Sequence, residues 1–182
     1  GDSATVAILT ADHLMDKLEV YRQTLRDAYE LAAKDPLIVT IGIPPTEPAT
    51  VYGYIEAGDA LATETPTAFM KARRFVEKPD LETATTYLQS GRHFWNSGMF
   101  VWSVATFRDA LQKHRPALAK SIQELAPSIG AADFEERLDE LYPKIERISI
   151  DYAVMEHADN IVMSKGEFDW DDVGAWPAAA SH

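Results

Sequence analysis

The sequence lacks cysteine, and it also lacks the short motifs of several common enzyme classes. With no cysteine among 182 residues, it holds no disulfide and no thiolate metal site, which is compatible with the cytoplasm. No two glycines form a Gly-x-Gly pattern, and neither a dinucleotide-binding fingerprint nor a P-loop is present. A Gly-x-Ser-x-Gly elbow and a His-Glu-x-x-His helix are missing as well. These absences exclude thiol, serine-elbow and zincin chemistry within this sequence.

Positive charge and long apolar runs are scarce too. The 17 lysines and arginines face 29 aspartates and glutamates, which leaves a net charge of −12. Long-range repulsion therefore opposes binding to nucleic acid, and no apolar stretch approaches the roughly 20 residues of a membrane span. We expect a cytoplasmic protein with no nucleic-acid or membrane partner. An anionic ligand still fits, because one lysine, backbone N–H groups and a divalent cation can bind a phosphate locally.

The order of the apolar segments predicts a layered α/β fold. Residues 6–9 are predicted as a buried strand, residues 14–33 carry an apolar stripe at helical spacing, and residues 37–43 form a second predicted strand. Strand, helix, strand is typical of a right-handed parallel crossover. We therefore expect one α/β domain over residues 1–182, with a mostly parallel or mixed sheet.

The rest of the chain alternates predicted strands and helices. Further strands are predicted at residues 52–56, 69–77, 96–102, 148–150 and 161–163. Asp80 and Ser103 are expected to cap helices. Residues 116–142 have a helical pattern with one break, and Asp133 with Glu136 is expected to cap its second half.

Ligands bind beyond the carboxyl ends of strands in such sheets, and charged residues stand at these ends. Asp12 follows the first strand and is a candidate Mg²⁺ ligand, although a turn or helix cap is the commoner use of aspartate. Its neighbour His13 is interpreted as structural. Glu77 can accept hydrogen bonds from vicinal hydroxyls, and Lys78 can neutralise a phosphate. The alternative for this pair is an exposed ion pair worth roughly 0–1 kcal/mol.

Glu77 and Lys78 pose a geometric problem. Pro79 is expected to hold Lys78 in extended geometry and to stop the strand. Strict alternation along a strand would send the two side chains to opposite faces. Both reach one ligand only if the strand frays or twists before the proline.

Glycine, amide and acidic residues add further candidates. Asn96 can bind a hydroxyl and Gly98 permits close backbone approach, although both are also favoured in a tight turn. Gly53 can present its N–H to a sugar or form a strand bulge. Three aspartates crowd together near the end of the sequence, namely Asp169, Asp171 and Asp172. Crowded like charges favour a bound cation, and exposure to solvent is the alternative.

Taken in order, these segments resemble the sugar-1-phosphate nucleotidyltransferase family. The matching stretches are distributed along nearly the whole chain and are Ala11–His13, Tyr52–Glu56, Phe75–Pro79, Trp95–Phe100, Ile150–Glu156 and Trp170–Gly174. The resemblance implies a Rossmann-like nucleotidyltransferase core. It also implies that Asp12 and Asp172 are catalytic residues that hold a Mg²⁺ ion.

The same resemblance implies a role for each residue around the sugar phosphate. Gly53 corresponds to a backbone contact with the sugar, and Glu77 and Asn96 correspond to residues that bind its hydroxyls. Lys78 corresponds to a catalytic lysine that binds the phosphate. Asp151 resembles a cap that supports the site.

Within the family, the chain is most similar to members that transfer a guanylyl group from GTP to mannose 1-phosphate. The implied reaction gives GDP-mannose and pyrophosphate by in-line attack, with catalysis by positioning and charge neutralisation. Mannose 1-phosphate and GTP are thus the implied partners, and Mg²⁺ is the implied cofactor. The sequence leaves open whether the chain forms a homodimer.

The chain departs from the family pattern in three places. It has Thr10 where the family usually has proline, and Val51 where the family usually has glycine. The family's Gly-Gly-x-Gly-x-Arg signature is missing, so we expect an N-terminally truncated piece that is inactive alone. Two alternatives are a relative that uses glucose 1-phosphate and another nucleotide, and a non-catalytic sugar-phosphate-binding module.

Overall fold

A computed structural model describes residues 4–172, which form a six-stranded sheet, a two-stranded ribbon and covering helices. The strands are β1 (Thr5–Ile8), β2 (His13–Met15), β3 (Ile38–Ile43), β4 (Tyr54–Leu61), β5 (Phe69–Val76), β6 (His93–Ser103), β7 (Ile161–Lys165) and β8 (Trp170–Asp172). The α-helices are α1 (Leu18–Lys34), α2 (Leu81–Ser90), α3 (Val104–His114), α4 (Pro116–Leu125) and α5 (Phe134–Leu141). Shorter turns are the 3₁₀ turns Ala126–Ser128 and Tyr142–Lys144 and the π-helical turn Asp151–Met155. Across residues 4–172, no helix is long and apolar enough to cross a membrane.

The large sheet is mixed, with strand order β1-β6-β3-β7-β5-β4. Among the strands that the structure describes, β3 and β7 are the one parallel pair, and the other neighbours are antiparallel. Because β1 and β3 are both antiparallel to β6, they run in the same direction on either side of it. The parallel direction of the two predicted strands is therefore confirmed, with β6 between them, and the right-handed sense of the connection stays a prediction. The mixed alternative is correct, and a mostly parallel sheet is wrong.

The two-stranded ribbon is a feature that the apolar pattern did not predict. Strand β2 pairs antiparallel with β8, with His13 opposite Asp172 and Met15 opposite Trp170. Helix α1 consequently begins at Leu18 rather than at Leu14, because residue 14 belongs to β2. The ribbon joins two segments about 160 residues apart in sequence, and such pairings leave no local signal.

Both faces of the large sheet are buried. One face packs against α3, α4 and the π-helical turn through a cluster that includes Ile55, Phe75, Phe100, Trp102 and Met163. Helix α1 covers Val39, Val101 and Val162 with Ala28 and Leu31. Burying each large side chain contributes about 1.5–3 kcal/mol, so the strands that carry the site rest on a rigid support.

Two of the three predicted N-caps form at the helix starts. Asp80 accepts a hydrogen bond from Thr83 N at 2.8 Å, and Ser103 accepts one from Thr106 N at 3.0 Å, as expected. Asp133 makes no side-chain cap bond, and that prediction is wrong. The ψ angle of Asp133 is 7°, whereas Asp80 and Ser103 have the extended values of 167° and 151° that are typical of an N-cap.

The segment of residues 148–150 is not a strand, which corrects another prediction. The side chains of Ile148 and Ile150 pack against the core beneath α3 and α4. Their apolar character thus reflects helix-layer packing, which a short apolar run cannot distinguish from a strand.

Candidate functional site

The ribbon places Asp12 and Asp172 near the same nitrogen of His13. His13 Nε2 lies 4.0 Å from Asp12 Oδ1 and 3.9 Å from Asp172 Oδ1. Asp12 sits in the bend between β1 and β2, so it is a strand-end residue and not a helix cap. The side chains of Asp12 and Asp172 are 73% and 34% exposed, which leaves both carboxylates accessible to a ligand. We call Asp12 and Asp172 the carboxylate pair.

His13 itself is held tightly. Its side chain is only 7% exposed, and Nδ1 accepts a hydrogen bond from Trp170 Nε1 at 3.0 Å. Thr10 Oγ1 lies 2.5 Å from the same nitrogen. The imidazole meets the indole of Trp170 edge to face, and Tyr52 packs on that indole in turn. The sequence predicts a structural role for His13, and its position near two carboxylates follows only from the pairing of β2 with β8.

A second group of side chains gathers around Gly53. A Cβ atom on Gly53 would collide with Glu77 Oε2 and would lie 3.4 Å from Asn96 Cβ. The backbone confirms this proximity, because Asn96 N donates to Gly53 O at 2.8 Å. The structure therefore brings Gly53, Glu77 and Asn96 together, and a side chain at position 53 would require the carboxylate of Glu77 to move. With Asp151, which also contacts Asn96, they form what we call the hydroxyl cluster.

The amide of Asn96 is fixed in orientation. Its Oδ1 accepts hydrogen bonds from Thr40 Oγ1 and from Gly98 N, each at 3.3 Å. Its Nδ2 donates to Asp151 Oδ1 at 3.2 Å. Gly98 reaches this position with a φ of +70°, which glycine adopts without the penalty that a side chain would bring. Because an amide nitrogen carries two N–H groups, one remains to donate to a ligand.

Lys78 resolves the geometric problem in an unexpected way. Strand β5 ends at Val76, so the alternation has stopped before Glu77. Lys78 is not extended, which corrects that prediction: its φ is +46°. Pro79 disfavours the right-handed helical region for the preceding residue, and the left-handed conformation brings Lys78 Nζ to 3.7 Å from Glu77 Oε1. A left-handed conformation outside glycine costs about 1–3 kcal/mol and is common at functional sites.

Two acidic residues, Asp151 in the cluster and Glu156 beside it, were not among the predicted ligands. Asp151 begins the π-helical turn, and Glu156 follows its end. Glu77 N donates to Glu156 Oε1 at 3.3 Å, so the turn contacts Asn96 through one carboxylate and Glu77 through the other. The Ile150–Glu156 stretch was the available signal, but its spacing did not reveal which side chains face the site.

Burial and like charges shape the electrostatics of the hydroxyl cluster. Burial raises the pKa of Glu77, and the nearby charge of Asp151 raises it further, while Lys78 partly opposes both effects. Burial also raises the pKa of Asp151. The cluster thus holds acceptors for hydroxyl groups at a cost in stability, and it repels a phosphate except beside Lys78.

The two groups of residues meet at one point. A Cβ atom on Gly98 would lie 3.5 Å from Thr10 Cγ2, and Thr10 contacts His13 while Gly98 contacts Asn96. The two groups are thus linked through the neighbouring residues Thr10 and Gly98. Val173 and Gly174, the last residues of the predicted Trp170–Gly174 segment, lie outside the described residues.

The number of carboxylates near one another determines how a magnesium ion could be bound. Within residues 4–172, no group of three or more His, Asp or Glu residues could hold a metal ion. Mg²⁺ is commonly bound by one or two carboxylates while waters and substrate phosphates complete its shell. The carboxylate pair fits that mode of binding and does not form an all-protein cage.

The sequence is similar to known nucleotidyltransferases along nearly its whole length. A family model described as nucleotidyl transferase matches residues 1–181. A mannose-1-phosphate guanylyltransferase from Klebsiella pneumoniae is 38% identical over 179 residues, and one from Escherichia coli is 36% identical over 177 residues. These alignments cover 98% and 97% of this chain, and the chain spans 38% of each relative's length.

A solved structure supports the same fold. A protein from Thermus thermophilus, described as a mannose-1-phosphate geranyltransferase, superposes with a TM-score of 0.81 at 35% identity. The match covers 96% of this chain and 48% of that one. The predicted nucleotidyltransferase core is thereby confirmed.

Proposed function

The chain belongs to the nucleotidyl transferase family, and on that premise we propose that it carries the sugar-phosphate and metal part of a site for GDP-mannose synthesis. The reaction transfers a guanylyl group from GTP to mannose 1-phosphate and releases pyrophosphate. The observation that carries this proposal is the convergence of Gly53, Glu77, Asn96 and Lys78 within one cluster. The names of the relatives support mannose 1-phosphate as the sugar phosphate.

The hydroxyl cluster binds the sugar in this proposal. Glu77, whose side chain is 12% exposed, accepts hydrogen bonds from ring hydroxyls. Asn96 donates its remaining N–H to a sugar oxygen, and its orientation is already set by Thr40, Gly98 and Asp151. Because these groups are ordered before the ligand arrives, less conformational entropy is lost on binding.

Lys78 and the carboxylate pair act on the phosphate. The Lys78 side chain is 61% exposed, so its ammonium group can swing from Glu77 toward a phosphate oxygen. Asp12 and Asp172 would hold Mg²⁺, which supplies positive charge to the phosphate oxygens when bound. Residues of this chain thereby orient the phosphate oxygen of mannose 1-phosphate for in-line attack on the α-phosphorus of GTP.

The test is a calorimetric titration of the chain with mannose 1-phosphate in Mg²⁺, with glucose 1-phosphate as the matched control. We expect preferential binding of the mannose compound, because the two sugars differ only in the orientation of one hydroxyl. Stronger binding of glucose 1-phosphate would favour the related nucleotidyltransferase with that substrate. Absence of binding to either, in a chain that circular dichroism shows to be folded, would contradict the roles of Glu77, Lys78 and Asn96.

A further inference from the structure

Strand β6 carries extra residues where it pairs with β3. Thr40 lies opposite Phe100 and Gly42 lies opposite Asn96, so residues 97–99 of β6 face a single residue of β3. We call residues 97–99 the β6 bulge. Bulges are common next to active sites, where they change the direction in which a side chain points. The β6 bulge therefore decides which residue of β6 enters the hydroxyl cluster.

The β6 bulge is what brings an amide to this position. If the regular antiparallel ladder continued from Thr40, Gly98 would lie opposite Gly42, and glycine has no side-chain amide. The bulge places Asn96 opposite Gly42 instead. From there the backbone N–H of Asn96 donates to Gly53 O at 2.8 Å. The place of Asn96 in the hydroxyl cluster thus depends on the groups that hold the bulge.

The hydroxyl of Thr40 contacts the β6 bulge and the residue that precedes it. Its Oγ1 donates to Met99 O at 3.0 Å and lies 3.3 Å from Asn96 Oδ1, so one proton is shared between two oxygen acceptors. Thr40 is 0% exposed, and a buried hydroxyl costs free energy unless it is hydrogen-bonded. Both contacts of this hydroxyl are made with β6, so it supports the local geometry of that strand.

The same hydroxyl contributes to the orientation of the Asn96 amide. Oδ1 of Asn96 receives Thr40 Oγ1 and Gly98 N, while Nδ2 donates to the carboxylate of Asp151. Without the Thr40 hydroxyl, Oδ1 keeps only the Gly98 N–H of these two donors, at a distance of 3.3 Å that is long for such a bond. The amide then gains rotational freedom and presents its free N–H to a ligand less often.

We propose that Thr40 is a positioning residue whose hydroxyl holds the β6 bulge and the Asn96 amide in the geometry that binds the sugar. This inference rests on the proposed function for the contact between Asn96 and the sugar. Because Thr40 has no exposed surface, it does not touch the ligand itself. Its effect on binding passes through Asn96.

The first experiment measures the mobility of the Asn96 side chain without any ligand. The ¹H–¹⁵N signals of its NH₂ group are assigned by their loss in Asn96→Asp. We expect an order parameter of about 0.85 in the unsubstituted chain, as in rigid backbone, and below about 0.6 in Thr40→Val, which keeps the shape and removes the hydroxyl. Thr40→Ser keeps the hydroxyl and should stay rigid. Equal order parameters in Thr40→Val and the unsubstituted chain would overturn the proposal.

The second experiment measures the affinity for mannose 1-phosphate by calorimetry in Mg²⁺. Thr40→Val should bind at least about tenfold more weakly, whereas Thr40→Ser should stay within about threefold of the unsubstituted chain. A role in packing alone predicts the reverse order, because serine loses a buried methyl group that valine keeps. Thr24→Val is the matched control, since Thr24 is buried and its hydroxyl bonds Val20 O within α1. Its affinity should be unchanged.

The outcomes separate this inference from the proposed function. If circular dichroism shows that Thr40→Val does not fold, Thr40→Ala and Thr40→Ser give the same comparison, because they differ only in the hydroxyl. Thr40→Ser binding as weakly as the variant without a hydroxyl would overturn the positioning role. If the unsubstituted chain binds no mannose 1-phosphate, the proposed function is contradicted. The order parameters then still decide whether Thr40 holds the Asn96 amide.

Discussion

The hydroxyl cluster and the carboxylate pair differ in how the fold holds them. Asn96 lies at the centre of the cluster, where it accepts hydrogen bonds from Thr40 and Gly98 and donates one to Asp151. The carboxylate pair lies on and beside a ribbon of two three-residue strands, and its side chains are far more exposed. One half of the proposed site is therefore held by several hydrogen bonds within the fold, whereas the other lies on a short and more exposed ribbon.

The largest loss of affinity for mannose 1-phosphate is expected from a substitution of Gly53 in the hydroxyl cluster. In Gly53→Ala the new methyl group would displace Glu77 from its contact, because the Cβ would overlap Glu77 Oε2. We expect the affinity for mannose 1-phosphate to fall by at least about 100-fold, equivalent to about 2.7 kcal/mol. Isothermal titration calorimetry in Mg²⁺ measures this loss.

Gly91→Ala is the matched control for that substitution. Gly91 has a φ of +64° at the end of α2 and open space around its Cβ position, so alanine there should cost about 1–2 kcal/mol of stability without touching the cluster. Binding should stay unchanged. Equal losses of affinity in both variants would show that stability, and not the contact with Glu77, controls binding.

A smaller effect is expected at Lys78, which lies at the exposed rim of the hydroxyl cluster. Removing its charge in Lys78→Ala should weaken mannose 1-phosphate binding about 10–100-fold, since hydrogen bonds to charged groups contribute about 1.5–3 kcal/mol. Free mannose, which has no phosphate, should show no difference. Lys113→Ala is the control, because Lys113 lies in α3 and forms an exposed ion pair with Asp159. An unchanged affinity in Lys78→Ala would refute its phosphate role.

The smallest expected effect concerns the pH dependence of the free energy of unfolding, which depends on Asp151 in the hydroxyl cluster. Burial raises the pKa of Asp151 above its ordinary value of 3.8, so the folded state binds more protons than the unfolded state as pH rises through and beyond that value. The unsubstituted chain should therefore lose free energy of unfolding with rising pH relative to Asp151→Asn, whose amide does not titrate.

Asp151→Asn keeps an oxygen to accept from Asn96, so its midpoint of thermal unfolding should equal or exceed that of the unsubstituted chain near pH 7. The difference should shrink toward pH 3. Thermal melts followed by circular dichroism across this range measure the effect. If Asp151→Asn is less stable than the unsubstituted chain near pH 7 and equal to it in stability near pH 3, the charge of Asp151 stabilises the fold.

Sequence patterns predicted several local features, although the Asp133 cap is wrong, and they missed features made by distant pairing. Asp80 and Ser103 were identified as caps because capping depends on a few adjacent residues. The mixed order of the sheet and the ribbon between β2 and β8 depend on contacts between segments far apart, so the burial of His13 could not be anticipated. The left-handed Lys78 was missed because proline restricts its neighbour without specifying which remaining conformation tertiary contacts select.

The most direct test of the account asks whether the two halves act on one ligand. Mannose 1-phosphate is titrated into the chain with and without Mg²⁺, and the same pair of titrations is made with Asp172→Asn. We predict that Mg²⁺ raises the affinity of the unsubstituted chain at least about tenfold, about 1.4 kcal/mol, and that Asp172→Asn loses this gain but keeps the Mg²⁺-free affinity. Equal affinities with and without Mg²⁺ in the unsubstituted chain would contradict the account.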